Sequence, residues 1–271
     1  MTVSLATPQP PLPLSQGSLN LLTTCPRKFQ YTYFDELGLP LAADQQANVA
    51  WGSQFHLLMQ QRELGLPIDA LAATETDLQE SLEQLVKAAP ALFAPELASF
   101  RQSEHRRTLE FAGYLLTVIY DLIILQPQRG QIIDWKTYLQ PRDRTFLAQD
   151  WQTRLYPYVL AETTTLSPHQ ISITYWFVRH RDRQSQRLQP QQQTFQYSEQ
   201  QHEQTRHDLS QLTAQLHQWR SQPAALPKVD LAKGICPSCP FAIRCQRSLA
   251  AFAPPSAPPL PNLEAIEEIE L

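Results

Sequence analysis

The segment Thr117–Thr137, TVIYDLIILQPQRGQIIDWKT, decides the fold because it contains two apolar runs joined by a short polar turn. Both runs, TVIYDLIIL and QIIDWKT, are rich in β-branched and aromatic residues, which favour strands. Pro127 and Gly130 mark the turn between the runs. The segment therefore predicts two strands that lie next to each other in a sheet.

Charged residues interrupt the two predicted strands. Asp121 lies inside the first run, Asp134 lies near the end of the second, and Lys136 follows two positions later. Because side chains alternate along a strand, Asp134 and Lys136 share one face and Trp135 points the other way. An unpaired carboxylate in an apolar strand is unfavourable unless something binds it. We therefore expect Asp121 to meet the other two charged residues at one end of the sheet.

Such a cluster is suited to divalent-metal chemistry. Carboxylates offer the oxygen ligands that Mg²⁺ and Mn²⁺ prefer. A bound metal lowers the pKa of a coordinated water and neutralises charge on a phosphate under attack. A lysine beside the metal can orient that water or stabilise the pentavalent phosphorus state. The alternative interpretation is that these acids only terminate strands.

Two further features point to the same site. Gln152 and Tyr156 lie four positions apart on a predicted helix, so they share one helix face. His56 follows Gly52 in WGSQFHLLMQ, on a predicted N-terminal helix. Each feature is unremarkable alone, and only their order and spacing relative to the acids connect them to a site.

The whole pattern predicts an α/β fold in which a mixed central β-sheet is flanked by helices, with a helical N-terminal part. Helices are expected at Asp77–Leu92, Pro95–His105, Phe146–Glu162 and Glu199–Trp219, and strands at Leu109–Phe111, Tyr114–Leu125, Gln131–Thr137, Ile171–Val178 and Phe195–Tyr197.

Composition narrows the classes of protein. The chain has 271 residues, of which 42% are hydrophobic, so it can bury a sizeable core. It shows no apolar run long enough to span a membrane and no secretory signal, so we expect a cytoplasmic protein. The net charge of −4 excludes a uniformly basic chain, and any nucleic-acid partner must bind a local basic groove.

Proline clusters mark both ends of the chain, which has 23 prolines and 7 glycines. The clusters favour extended polyproline segments that do not pack into a core. We therefore expect a proline-rich leader at 1–14, a globular domain at 15–252, and a proline-rich, acidic tail at 253–271.

The cysteines form a one-plus-three pattern. Cys236, Cys239 and Cys245 are closely spaced as C-x2-C-x5-C, whereas Cys25 lies far earlier in the chain. In a cytosolic chain this spacing favours metal ligands over disulfides, and the alternative is buried cysteines without a ligand. Zinc favours two paired knuckles, so this pattern suits a [4Fe–4S] cluster better than zinc. Such a cluster would hold the first helices and the C-terminal segment together as a structural staple.

These residues together resemble the RecB-like nucleases of the PD-(D/E)XK superfamily. The resemblance is to the iron–sulfur branch, which includes the AddB nuclease domain and the CRISPR-associated four-cysteine exonucleases. It extends from the Ser15–Phe34 segment, SQGSLNLLTTCPRKFQYTYF, to Cys245. One departure is Val118, since the family often has glycine three residues before the first acid. The resemblance implies a restriction-endonuclease-like sheet.

The resemblance also assigns roles to residues. It implies a metal site of His56, Asp121 and Asp134, completed by the main-chain carbonyl of Trp135, with Lys136 as the catalytic lysine. It implies that Gln152 and Tyr156 contact DNA near this site. The implied cluster ligands are Cys25, Cys236, Cys239 and Cys245.

The expected function is a metal-dependent DNA nuclease that uses Mg²⁺ or Mn²⁺. We expect an exonuclease on single-stranded or frayed DNA in repair or recombination, with no membrane partner. The sequence has no G-x4-GK[ST] loop, so any helicase or recombination partner would be a separate subunit. The alternative is a non-catalytic DNA-binding or assembly subunit that keeps the cluster. Candidate phosphate contacts are Arg27, Lys28, Arg101, Arg106, Arg107, Arg179, Arg181, Arg183 and Arg187.

Overall fold

A computed structural model describes residues 11–38, 43–68, 76–93, 100–139, 141–182 and 184–247. The N-terminal elements are β1 (Leu12–Leu14), α1 (Gln16–Thr24), α2 (Pro26–Tyr33), α3 (Ala43–Glu63), α4 (Thr76–Ala88) and α5 (Pro90–Phe93). The next elements are β2 (Phe100–Phe111), β3 (Tyr114–Gln126), β4 (Arg129–Lys136), α6 (Arg144–Gln149), α7 (Trp151–Glu162), β5 (Ile171–Phe177), β6 (Gln191–Gln196) and α8 (Glu199–Arg220).

The strands form one mixed sheet of six strands in the described residues, in the order β1–β3–β4–β5–β6, with β2 on the other edge of β3. The pairs β2–β3, β3–β4 and β5–β6 are antiparallel, and the pairs β1–β3 and β4–β5 are parallel. The predicted mixed sheet with flanking helices is confirmed.

Strand β3 has two different neighbours along one edge. Its first residues pair with β1, up to Leu14–Leu116, and its last residues pair with β4, from Leu122–Ile133 onward. In the described residues, 117–121 have no strand partner on that edge. The sheet therefore opens beside Asp121.

Apolar side chains form a core on each face of the sheet. Ile132 and Leu155 belong to the core that includes α1, α7 and α8, whereas Phe55, Ile133 and Trp135 belong to the core that includes α3 and α4. Because alternate residues of β4 enter opposite cores, its even-numbered side chains point toward α7. This alternation directs Asp134 and Lys136 toward α7.

The predicted helix Pro95–His105 is wrong over residues 100–105, and residues 95–99 lie outside the described part of the chain. These residues belong to β2, which pairs with β3 from Phe100–Leu125 to Phe111–Tyr114. Pairing with an apolar strand along its whole length outweighs the local helical pattern. The predicted strand Leu109–Phe111 is therefore only the end of a longer one.

Other boundaries also differ from the prediction, and the strand predicted at Phe195–Tyr197 is observed at Gln191–Gln196. The predicted helix Phe146–Glu162 is two helices that meet at Asp150, whose side chain accepts a hydrogen bond from Gln152 N at 2.8 Å. The predicted helix Asp77–Leu92 is divided at Pro90, which begins a new helix. Strand β1 uses residues 12–14, which the sequence analysis placed in the leader, and the tail at 253–271 lies outside the described residues.

Within the described part of the chain, no helix is long and apolar enough to cross a membrane.

Candidate active site

Asp121 lies where β3 and β4 separate. Beyond the last ladder pair, Leu122–Ile133, the main-chain N–H of Trp135 donates to Oδ2 of Asp121 at 2.7 Å. A side-chain carboxylate thus replaces the main-chain acceptor that a continued ladder would supply. This hydrogen bond fixes Asp121 next to the end of β4.

Asp134 and Lys136 form a buried ion pair beside Asp121. Asp134 is 4% exposed, and its Oδ2 lies 2.7 Å from Nζ of Lys136. Gln152 bridges the pair, since its Nε2 donates to Oδ1 of Asp134 and its Oε1 accepts from Lys136. Apart from the ion pair, Oδ2 of Asp134 has no hydrogen-bond partner among the described residues. Gln152 and Lys136 therefore hold the two carboxylate oxygens of Asp134, and a metal ion would compete with the ammonium group of Lys136 for Oδ2.

His56 reaches Asp121 from helix α3. Its Nδ1 lies 3.5 Å from Oδ1 of Asp121 and 3.7 Å from Oε1 of Glu104. One ligand atom from each of these three residues lies within 4.8 Å of the other two. An imidazole and two carboxylates at this spacing can hold one divalent cation.

Gly52 explains how α3 comes close enough to the sheet. A Cβ at this position would lie 2.9 Å from Oγ1 of Thr137, just after β4. His56 lies four residues later, so it is on the same helix face as Gly52. The glycine therefore allows the close approach that places His56 over the acids.

Glu104 is the site residue that the sequence analysis missed. It lies in β2 with a φ of +49°, between the paired residues Ser103 and His105. A positive φ in a non-glycine strand residue is uncommon and is often found at functional positions. The prediction of a helix over this segment concealed it. The available signal was the hairpin turn at Gly113, since a partner as long as β3 must extend back past residue 104.

The charged groups in the site shift one another's pKa values. Burial alone would lower the pKa of His56, but Asp121 and Glu104 outweigh burial and raise the pKa to about 10. Burial raises the pKa of Asp121, and the nearby carboxylate of Asp134 raises it further. Burial opposes the charge of Lys136, but Asp134 and Asp121 raise its pKa above the usual value. In the protein without metal, two cations therefore balance the buried acids at neutral pH.

Gln152 and Tyr156, the two residues predicted to share one helix face, also border this site. Tyr156 is 4% exposed, its carbonyl accepts a hydrogen bond from Tyr120 Oη at 3.0 Å, and burial raises the pKa of its phenol. Gln152 and Tyr156 line the same groove as the acids, and this groove has a volume of about 490 Å³. The remaining residues that the sequence placed at this site are in the same groove, namely His56, Asp121, Asp134, Trp135 and Lys136.

The four cysteines come together at a separate place. They line a single cavity of about 150 Å³, and none forms a disulfide. No three of their sulfur atoms lie within 4.8 Å of one another. The sulfur ligands of a single tetrahedral zinc, at about 2.3 Å from the metal, would be only about 3.8 Å apart. The four cysteines, which we call the cysteine cage, are therefore not placed as the ligands of one tetrahedral zinc.

Several arginines that were candidates for DNA contact are bound within the protein. Arg181 lies 2.9 Å from Asp77 of α4, and Arg179 lies 3.6 Å from the same carboxylate. Such partners compete with phosphate for the guanidinium, so these arginines are poorer DNA ligands than free ones. Arg183 lies outside the described residues. Other internal partners are the Leu226 carbonyl for Arg27, Glu63 for Arg101, and the Thr163 carbonyl for Arg107.

The sheet, its opening and the Asp–Lys pair define a class of nuclease. A family model described as the PD-(D/E)XK nuclease superfamily matches residues 13–246. The chain therefore belongs to the PD-(D/E)XK nuclease superfamily, whose enzymes hydrolyse phosphodiester bonds and generally use Mg²⁺ or Mn²⁺. The predicted enzyme class is confirmed.

Two solved structures are similar to this chain. A candidate exonuclease from Eubacterium rectale has a TM-score of 0.54 and 10% sequence identity, covering 85% of this chain and 86% of its own. The protein SSO0001 has a TM-score of 0.38 and 13% identity, covering 89% of this chain and 88% of its own. The first likeness supports the fold. No curated protein matches the chain significantly in sequence.

Proposed function

We propose that this chain is a metal-dependent deoxyribonuclease that acts as an exonuclease on single-stranded or frayed DNA in repair or recombination. The observation that carries the proposal is that Asp121, Asp134, Lys136 and His56 line one groove at the opening of the sheet. The acids come from two strands and the imidazole from a helix on the other face. A separate helicase or recombination subunit would supply any motor function.

The donor set fits Mg²⁺ or Mn²⁺. His56, Asp121 and Asp134 would hold the ion with the carbonyl of Trp135, and Glu104 offers one further oxygen. The ligand atoms of His56, Glu104 and Asp121 lie within 4.8 Å of one another, and the buried Asp134, whose Oδ2 is paired with Lys136, lines the same groove. Both observations support this assignment. When bound, the ion supplies a water of lowered pKa and neutralises phosphate charge.

Lys136 acts as a cation in this proposal. Because Asp134 and Asp121 raise its pKa, its ammonium group remains protonated at neutral pH. A protonated lysine cannot accept the proton of an attacking water, but it can stabilise the negative charge that develops on the phosphate. Gln152 holds Asp134 and Lys136 in one orientation, so it is a positioning residue that can also face the DNA.

The test is cleavage of labelled single-stranded DNA in Mg²⁺ or Mn²⁺. We expect the wild type to degrade the strand, and Asp134→Ala and Lys136→Ala each to reduce the rate by about a hundredfold or more, as for loss of an electrostatic catalytic group. Glu110→Gln changes an exposed acid of β2 and should leave the rate unchanged. Identical rates for the wild type and both site variants would show that the assignment is wrong. If the protein is an exonuclease, it should not degrade a circular strand, which has no free end.

We also propose that the four cysteines bind a structural [4Fe–4S] cluster, as in the iron–sulfur branch of RecB-like nucleases. The cavity that the four cysteines share supports a metal centre, and their one-plus-three order in the sequence favours a cluster over zinc. Protein purified without oxygen should be brown and contain about four iron and four sulfide per chain. A colourless sample with one tightly bound zinc would contradict this proposal.

A further inference from the structure

A second groove adjoins the candidate active site. Its volume is about 870 Å³, and it shares His56, Glu104, Thr137 and Tyr138 with the groove that contains the acids. We call it the side groove. A polymer that is bound at the acids can therefore continue directly into the side groove.

Three large apolar side chains line the side groove, together with the uncharged polar residues Asn48, Ser53, Gln60 and Thr137. Val49, Leu57 and Leu139 line it and are 56%, 43% and 51% exposed. Among the described residues, no lysine or arginine lines it, and its only ionisable side chains besides Tyr138 are His56 and Glu104 of the metal site. Duplex DNA is held mainly through its phosphates and needs a cationic surface. Sites for single strands also bind phosphates, but they add surfaces, mainly aromatic, on which unpaired bases can stack.

An aromatic and guanidinium stack lies at one end of the side groove. Arg142 lies 5.3 Å from the ring centre of Tyr138 and 5.2 Å from that of Phe146. Phe146 is 54% exposed, so this stack is open to solvent. Aromatic rings and arginine planes are the groups on which single-stranded nucleic acids stack their bases.

Tyr138 connects the stack to the side groove. Its ring contacts Arg142 and also lines the groove. Its hydroxyl is buried without a hydrogen-bond partner in the described part of the chain. Because the hydroxyl is not accessible from the groove, the ring is the part of Tyr138 that a base can contact.

We propose that the side groove and the Arg142 stack bind unpaired nucleobases of the strand whose phosphate lies at the acids. This inference rests on the proposed nuclease function and names its specificity surface. Bases pack on Leu57, Leu139 and Phe146, while Arg142 lies near a phosphate that joins two of these bases. A duplex cannot present its bases in this way, so this surface selects single-stranded DNA.

The test compares binding of a labelled single strand, its abasic counterpart and the matching duplex. All proteins carry Asp134→Asn, so that no strand is cut. We expect the double variant Leu139→Ala/Phe146→Ala to bind the intact strand about tenfold more weakly, since base stacking contributes on the order of 1–3 kcal/mol per base. Its affinity for the abasic strand should not change. Leu231→Ala removes an equally exposed leucine, 51% exposed, far along the chain and serves as the control.

The outcomes separate this inference from the function itself. Equal losses on intact and abasic strands, no loss on either, or tighter binding of the duplex by the parent protein would each overturn the base-stacking surface. Suppose that the wild type cleaves DNA, but the double variant prefers the intact strand over the abasic strand as strongly as its parent does. The side-groove inference then fails and the nuclease proposal stands. If the wild type cleaves no DNA with either metal, the nuclease proposal fails, and the binding series still decides the role of the side groove.

Discussion

Asp121 has a position that the main chain fixes. Its Oδ2 accepts the N–H of Trp135, while its Oδ1 faces His56. The carboxylate therefore serves as a ladder acceptor and as a candidate metal ligand at the same time. Because Asp121→Ala would also leave a main-chain donor unpaired, Asp121→Asn is the milder substitution for testing its charge.

Glu104 should contribute to metal affinity. One oxygen of its carboxylate lies within 4.8 Å of an imidazole nitrogen of His56 and a carboxylate oxygen of Asp121. We expect Glu104→Gln to weaken Mn²⁺ binding by about tenfold, because the amide keeps the shape and removes the charge. Calorimetric titration of Mn²⁺ measures the change. The matched control is Glu110→Gln on the same strand, and equal affinities for the two variants would exclude Glu104 from the site.

His56 should make the stability of the metal-free protein depend on pH. Its pKa is raised from 6.5 to about 10 by Asp121 and Glu104 against the effect of burial. The folded state therefore binds the proton more tightly, so this stabilisation is complete below about pH 6.5 and is lost as the pH rises toward 10. Thermal melting in EDTA should show Tm falling across this range in the wild type, and less steeply in His56→Gln.

The control for the histidine prediction is His217→Gln, which changes an exposed histidine of α8. Its melting curves should follow the wild type at every pH. If Tm falls equally steeply with pH in His56→Gln and in the wild type, the imidazole of His56 is not the cause of the pH dependence. Added Mn²⁺ should stabilise the wild type more at higher pH, because the metal displaces the His56 proton.

At the scale of elements, the site depends on the contact between α3 and the end of β4. A Cβ on Gly52 would lie 2.9 Å from Oγ1 of Thr137, so Gly52→Ala must move the helix or the hydroxyl. We expect Gly52→Ala to lower the cleavage rate about tenfold by displacing His56, because small misplacements have large rate effects. Rates of strand cleavage, with helicity checked by circular dichroism, measure this change.

Two variants test the cause of that loss. Gly52→Ala/Thr137→Ala removes the opposing hydroxyl and should restore most of the rate. Gly17→Ala in α1, where a Cβ has its nearest neighbour at 3.8 Å, should leave the rate unchanged. If the double variant is as slow as Gly52→Ala alone, the helix contact does not explain the effect.

The order of strands also produces the opening at the site. Strand β1 pairs with the beginning of β3 and β4 pairs with its end, so the edge of β3 at 117–121 carries no strand among the described residues. Asp121 therefore lies at a place where substrate can approach main chain and carboxylate together. The exposed Ile119, at 43%, lies in the same stretch and lines the groove.

At the scale of the whole molecule, the cysteine cage joins the N-terminal helices to the C-terminal segment. Loss of the proposed cluster, through oxidation or Cys239→Ser, should lower Tm, since a link between distant segments restricts the unfolded chain. Ser238→Ala changes the exposed neighbour and should not affect Tm. Differential scanning calorimetry measures both. An unchanged Tm after complete loss of iron would show that the cage does not stabilise the fold.

The sequence by itself determined the centre of the fold and most of the candidate site. Asp121, Asp134 and Lys136 lie on two strands joined by a short turn, so local alternation and turn residues already place them near each other. The order of His56, the acids and the Gln152–Tyr156 pair then matched the geometry of one groove. The Asp121, Asp134 and Lys136 relation depends on short-range patterns, whereas His56 reaches the acids only because α3 packs against the end of β4.

Only the tertiary structure decided the position of Glu104, the separation of α6 from α7 and the internal partners of the arginines. Glu104 joins the site because β2 pairs with β3 over almost its whole length, and its own segment has no pattern that specifies this register. Arg181 is paired because α4, far away in the chain, lies beside it. Contacts between distant segments follow from the packing of whole elements, which local propensity does not encode.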